Sequence, residues 1–497
     1  MDPRLRALAD LMVPDVREYC GRHEYDGQVQ DFSPDGVSRA LAALGGPAYR
    51  DPHDEAHASI AEERARVYYS TLLMHQRNPA PHIANLDLAC YDRDYAPAAD
   101  RAAARQRHLS LWPEAIEASL ASLTQVPAPV ARATVEAARG LAAGLDADHS
   151  AVEARALRAH DRFLARLEDL AEHGDPDPSL GANALALLLS SAEGIDVDLG
   201  ELTRRADAER DRLADLLAAA CEKLAPGQDV RQTVADLLAD HPDADGVLAE
   251  ARQLTADVLA WTGARDLAPA DGECLVGPAP ESRRWAMAMM SPSAPGEPEG
   301  PSWYHVTPPE PSWSPAEQEQ WLAVFSRTTL PVITIHEVAP GHFSHGRALR
   351  RLTSPVRQVL WSDAFVEGWA HYCEEMALEE GFLSDDPRYQ AGVAIEALVR
   401  VTRLACAIGL HTGALSVAAA ARRFERDAYL QGPAALSEAR RGTFDPTYGR
   451  YTWGKWVILD LRAEARRRWG ADFSLPRFHR AMLALGAPPL GLLHHAL

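Results

Sequence analysis

The chain has 497 residues, 47% apolar and 24% charged, with 50 basic side chains against 71 acidic ones and a net charge of −21. That balance excludes wholesale disorder, a collagen-like fibre and a disulfide-stapled miniprotein, and it leaves room for a large core. So acidic a surface repels phosphate backbones and anionic lipid, and no basic patch offsets it; neither nucleic acid nor membrane is expected as a partner.

The only lysines are Lys223 and Lys455. Six cysteines lie scattered with no CxxC pair, the pattern of reduced, buried thiols. The first twenty residues lack the apolar stretch of a signal peptide, and no apolar run of membrane-spanning length occurs. The expectation is a soluble cytoplasmic protein, with its oligomeric state left open.

Apolar residues at three- and four-residue spacing predict helices over 57–75, 113–124, 128–143, 150–172, 197–223 and 229–262. Turn-rich segments at 173–181, 224–229 and 241–246 separate them. From 264 to 314 the chain turns rich in Pro, Gly and Ser, and two short apolar runs, Trp285–Met290 and Trp303–Val306, are expected to pair as a hairpin. Ser314, Pro315 and Glu317 then form a helix start with a capping box. The remainder again reads as helical, apart from a turn-rich stretch at 442–455. The expected fold is mainly α with a small β element. A helical region over 1–264 and a chemistry-bearing region over 265–497 would form one intertwined globular unit.

Chemistry concentrates in PVITIHEVAPGHFSHG, residues 331–346. A hydrolytic zinc site needs neutral imidazoles, an open water position and a carboxylate base. In HExxH motifs two histidines four apart share a helix face. Here His336 and His342 are six apart, and six helical steps turn about 240° past a full rotation, which would point the rings apart. Pro340 and Gly341 between them could bulge the backbone and bring the rings together. Two alternatives stay open: incidental histidines at a strand-to-helix junction, and His345 in place of His336. The following helix, 361–381, sets Glu367, His371 and Glu374 on one face. Glu367 suits a third, carboxylate ligand, whereas His371 reads as a supporting or core residue. Trp361, Phe365 and Trp369 form a stripe that reads as core packing.

HEVAPGH at 336–342 and FVEGWAHYCEEMALEEG at 365–381 resemble the bacterial domain-of-unknown-function 885 family, whose members are similar to gluzincin-type zinc peptidases. The likeness continues through EALVRVTRLACAIGLHTG at 396–413, ARRGTFDPTYGRYTWGKWVILDLRAEA at 439–465 and FSLPRFHRAMLALGAPPLGLL at 473–493. The EGWA segment is also similar to the NEGFA segment of zinc aminopeptidases. The resemblance implies a large helical gluzincin-like architecture with a small sheet beside the cleft. It implies one zinc ion per chain on His336, His342 and Glu367, with Glu337 as general base. Tyr451 and His411 would stabilise the transition state, and Arg403 or Arg450, with Tyr448 nearby, would hold a substrate carboxylate through a bidentate contact, the alternative for each arginine being a surface or interhelical salt bridge. Ser302–Val306, with Tyr304, would be an edge strand that pairs with an extended peptide, or its aromatics would merely cap the core.

Phe343 and Ala407 depart from the family pattern, where many members carry His and Asp. The expected activity is metal-dependent hydrolysis of an amide in short peptides or amino-acid conjugates. A metal enzyme acting on a non-peptide substrate, and an inactive peptide-binding scaffold, are the alternatives.

Overall fold

Local chemistry starts most of the predicted helices. Ser150, Asp198 and Asp229 each accept backbone N–H groups at the heads of Ala151–His173, Leu199–Leu224 (α1) and Val230–Ala239, satisfying donors that a helix leaves bare. The Ser314–Glu317 capping box is present as expected. The computed structural model describes residues 1–280, 283–284 and 287–497, and over these the chain is mainly helical with one three-stranded sheet.

Three helix expectations need correction. The span 57–75 is an α-helix, Pro52–Arg66, continued by a π turn at Val67–Thr71 and broken at Leu73, which takes a φ of 50°. The span 229–262 is two helices, Val230–Ala239 and Gly246–Ala264, because Asp243 accepts the Gly246 N–H (2.7 Å) in a turn. Pro113 lies inside a longer helix, Ala98–Ser122, and does not start one; burial of Leu109, Trp112 and Ile116 outweighs the hydrogen bond that proline removes.

Strands Cys274–Gly277 (β1), Ala288–Ser291 (β2) and Ser302–Val306 (β3) lie in the order β1-β3-β2. β2 and β3 pair antiparallel, with Ala288 opposite Val306, as the hairpin reading requires; Trp285 and Ala286 of that reading fall outside the described residues. β1 pairs parallel with β3 and was not foreseen, since four residues between proline-rich segments show no alternation. β3 is therefore central, not an edge, and both its hydrogen-bonding sides are already used.

The main core runs from Leu185 to Leu493. Inside it, Leu330–Glu337 (α2), His342–Arg350 (α3), Asp363–Glu379 (α4), Pro387–His411 (α5), Gly432–Phe444 (α6) and Arg450–Trp469 (α7) surround the expected metal motif. α1 packs along α5, and α4 along α7. Ser362 fixes the head of α4: its hydroxyl accepts the Ala364 N–H (3.0 Å) and donates to the buried Glu193 carboxylate. Where α4 and α7 cross, a Cβ on Gly454 would sit 1.9 Å from the Ala364 carbonyl, and one on Gly368 2.5 Å from the Gly454 Cα. No larger residue fits that crossing. α5 closes on the head of α2 in the same way, at Gly392 against the Thr328 carbonyl.

Gly454→Ala is expected to force α4 and α7 apart and destabilise the protein by about 1–3 kcal/mol. Gly140→Ala, where the added methyl meets nothing, should stay within about 0.5 kcal/mol of wild type. Chemical denaturation of the two variants, with equal losses in both, would contradict this close crossing.

Candidate metal centre

α2 ends at Glu337, and a new helix begins at His342. The six-residue spacing is thus resolved by a break between helices, not by a bulge within one. The Ala339–Pro340 peptide is cis. Gly341 folds back so that its N–H donates to the Ile335 carbonyl (3.2 Å), and a Cβ there would lie 1.9 Å from the His336 carbonyl. Trp369 of α4 clamps this loop, its indole N–H donating to the Pro340 carbonyl at 2.9 Å. Phe365 and Trp369 are fully buried, so the aromatic stripe is core, as read from its spacing.

The break sets the His336 and His342 rings perpendicular, with centroids 4.7 Å apart. Glu367 of α4 reaches both: its Oε2 lies 3.4 Å from each histidine Nε2. Tetrahedral ligation at bond lengths near 2.0–2.1 Å would put donor atoms about 3.3–3.4 Å apart, the separation of Glu367 Oε2 from each histidine Nε2. Glu367 Oε2 is also buried without a hydrogen-bond partner, a costly state for a carboxylate unless a cation satisfies it. Two imidazoles and one carboxylate suit zinc, although manganese or iron accept the same set. His336, Glu337 and His342 bring ligand atoms within 4.8 Å of one another, and the Glu337 carboxylate makes no hydrogen bond among the described residues.

Glu374, whose role the sequence did not disclose, governs the tautomer. Its Oε1 lies 2.6 Å from His336 Nδ1 and its Oε2 2.9 Å from His371 Nδ1, while Arg400 approaches Oε1 at 3.1 Å. With Nδ1–H donating to Glu374, His336 points its Nε2 toward Glu367. Burial works against both carboxylates, yet Arg400, His371 and His336 hold Glu374 well below the usual range, and His336 and His342 do the same for Glu367. Burial likewise opposes a charged His336, but Glu367 and Glu374 raise it to about 9. A cation arriving at Nε2 therefore replaces a proton. The helix-face reading of 367, 371 and 374 was enough to find Glu374; what it lacked was α2 as the facing partner.

Of the other expected residues, Tyr451 is at the centre: its ring lies 6.3 Å from that of His336, at 26°, and its hydroxyl has no hydrogen-bond partner among the described residues. His345 turns away, Nε2 lying 3.1 Å from the Gly486 carbonyl, so it does not replace His336. His411 is not brought to the site. It ends α5, about 16 Å along the helix from Arg400, and its Nε2 meets the Gly442 carbonyl at 2.8 Å. Tyr448 is fully buried, its hydroxyl donating to the Glu438 carbonyl, and contacts no open cleft. Tyr304 is likewise buried, 3.4 Å from the Thr334 hydroxyl on the inner face of the central strand. Arg403 forks onto Glu438 (2.7 Å twice) and Arg450 onto Asp445 (2.7 and 3.0 Å). Lys455 is buried against Glu375, and His479 packs between Tyr372 and the Leu267 carbonyl. A second cluster, Asp51, His53 and Asp54, has both carboxylates already bound to Arg357.

Residues 14–497 match the family model described as bacterial protein of unknown function (DUF885), so the chain belongs to that family. No curated protein matches it. Its fold is that of a candidate lipoprotein of unknown function from Shewanella oneidensis, with a TM-score of 0.78 and 20% identity over 99% of this chain and 98% of the other. A candidate lipoprotein from Colwellia psychrerythraea is similar in the same way, with a TM-score of 0.81 and 17% identity over 99% and 97%. Among the described residues no helix is long and apolar enough to cross a membrane.

Glu374→Gln should weaken zinc affinity about 10–100-fold, whereas Glu367→Ala should abolish tight binding. Competition with a chromogenic chelator measures both. Wild-type affinity in either variant would contradict the ligand set or its support.

Proposed function

We propose that this DUF885 chain is a zinc-dependent hydrolase that cleaves an amide bond in short peptides or amino-acid conjugates. The observation that carries the reading is the 3.4 Å spacing of Glu367 Oε2 from both histidine Nε2 atoms, with Glu337 adjoining them. Zinc, when bound, supplies a Lewis acid and lowers the pKa of a water molecule to about 7.

The chain's own groups do the rest. Glu337, unencumbered by hydrogen bonds, takes the proton of the attacking water and passes it to the leaving amine. Glu374 keeps Nδ1 of His336 protonated, so that Nε2 remains a neutral donor. The free hydroxyl of Tyr451 donates to the carbonyl oxygen as its charge grows. His411, remote from these groups, has no part in the step. The motive for a non-peptide substrate was the pair of departures Phe343 and Ala407; both side chains are buried in apolar clusters, where they bear on packing.

Glu337→Gln is expected to keep its zinc and lose about 10²–10⁴-fold in hydrolysis of a di- and tripeptide panel. Tyr451→Phe should lose about 10²–10³-fold, also with zinc retained. Liquid chromatography of the products, beside metal analysis, checks both. No hydrolysis by the zinc-loaded wild type on such a panel would sink the proposal.

A further inference from the structure

We propose that the arginine cluster beside the metal centre binds the free carboxylate of its substrate, so that the enzyme works from the carboxyl end of a peptide; this rests on the hydrolase reading above. Three guanidinium groups lie over the Tyr451 ring: Arg403 at 5.2 Å, Arg450 at 5.7 Å and Arg400 at 5.9 Å. A fourth, Arg441 of α6, shares Asp445 with Arg450. Arg441 lies over the neighbouring Tyr448 ring at 5.8 Å, so four guanidinium groups bring donors for an anion together, their charges balanced by Glu374, Glu396, Glu438 and Asp445.

Their donors are only partly used. A guanidinium offers five N–H groups, yet Arg403 meets Glu438 through Nε and Nη2 alone, and Arg441 meets Asp445 through Nη2 alone, at 3.3 Å. The Nε atoms of Arg400 and Arg450 are buried with no partner. Unmatched buried donors on cations are what an incoming carboxylate would satisfy. Side-chain exposure falls from 32% at Arg441 to 15% at Arg403 and Arg450 and 8% at Arg400. The row thus leads from solvent to Arg400, which contacts the carboxylate that holds His336.

An aminopeptidase needs the opposite chemistry, a free acid for the substrate ammonium. Here the four carboxylates that line the arginines are each occupied: Glu438 by Arg403, Asp445 by Arg441 and Arg450, Glu396 and Glu374 by Arg400. Cleavage of the last amide then consumes one water and releases the terminal amino acid, the new carboxylate staying on the shortened peptide.

The test separates binding from turnover. Zinc-loaded Glu337→Gln protein is titrated calorimetrically with an Ala-Xaa-Xaa tripeptide library, prepared as free acids and as carboxamides. The free acids should bind at least tenfold more tightly, and Arg403→Met in the same background should erase the difference. Arg441→Met, at the exposed end of the row, should reduce it and covers the case in which the Arg403 variant fails to fold. Equal affinity for acids and amides, binding of neither, or a preference that survives both substitutions would overturn the proposal. Equal hydrolysis of acids and amides by the wild type would leave amide hydrolysis standing and remove the carboxylate site. Carboxylate-selective binding without hydrolysis would do the reverse.

Discussion

A carboxylate with no solvent exposure, Glu374, joins three helices at one point. Its two oxygens meet His336 from α2, His371 from its own α4 and Arg400 from α5. Burying a charge costs several kcal/mol unless it is well paired, and removing one partner of such a pair costs about 3–5 kcal/mol. The chain therefore cannot shift α2 or α5 relative to α4 without leaving a charge exposed to a dry interior. That constraint fixes the register in which Glu367, about two helical turns before Glu374, faces both histidines. Ser362 at the head of α4 and the glycine crossing with α7 hold the same helix from its other sides.

The break between α2 and α3 is the complementary device. A continuous helix offers i and i+4 as neighbours, and His336 and His342 fit neither that spacing nor i+3. Ending one helix at Glu337 and starting another at His342 frees the two rings from helical arithmetic. Gly341 makes this possible, since any side chain would collide with the His336 carbonyl. Trp369 then fastens the connecting loop to α4, so the aromatic stripe of α4 packs the core and also fixes the ligand geometry.

Much of this was legible from local pattern. Periodicity and capping residues located most helices, and the one-face spacing of Glu367, His371 and Glu374 marked α4. What pattern could not supply was tertiary placement. His411 and Tyr448 are polar residues in blocks like those of the family, and Tyr304 sits in a strand candidate before them, yet each turns its polar atom to a group inside the fold. The resemblance implied an edge for β3, and its second neighbour, β1, is too short to show the alternation that would have marked it as central. The helix read over 113–124 starts too late because apolar spacing shows only its second half, while the alanine- and arginine-rich run 98–108 of Ala98–Ser122 carries little apolar periodicity. Arg403 and Arg450 were read singly; that they converge with Arg400 on one tyrosine depends on α5 and α7 meeting in space.

The claim on which the rest stands is that His336, His342 and Glu367 hold one zinc ion. X-ray absorption at the zinc edge, on protein loaded with one equivalent of zinc, tests it most directly. The account predicts a first shell of about four nitrogen and oxygen atoms near 2.0–2.1 Å, with outer-shell scattering from two imidazoles, and loss of the imidazole signal by half in His342→Ala. A shell of six oxygens, a sulfur ligand, or a spectrum unchanged in His342→Ala would contradict it.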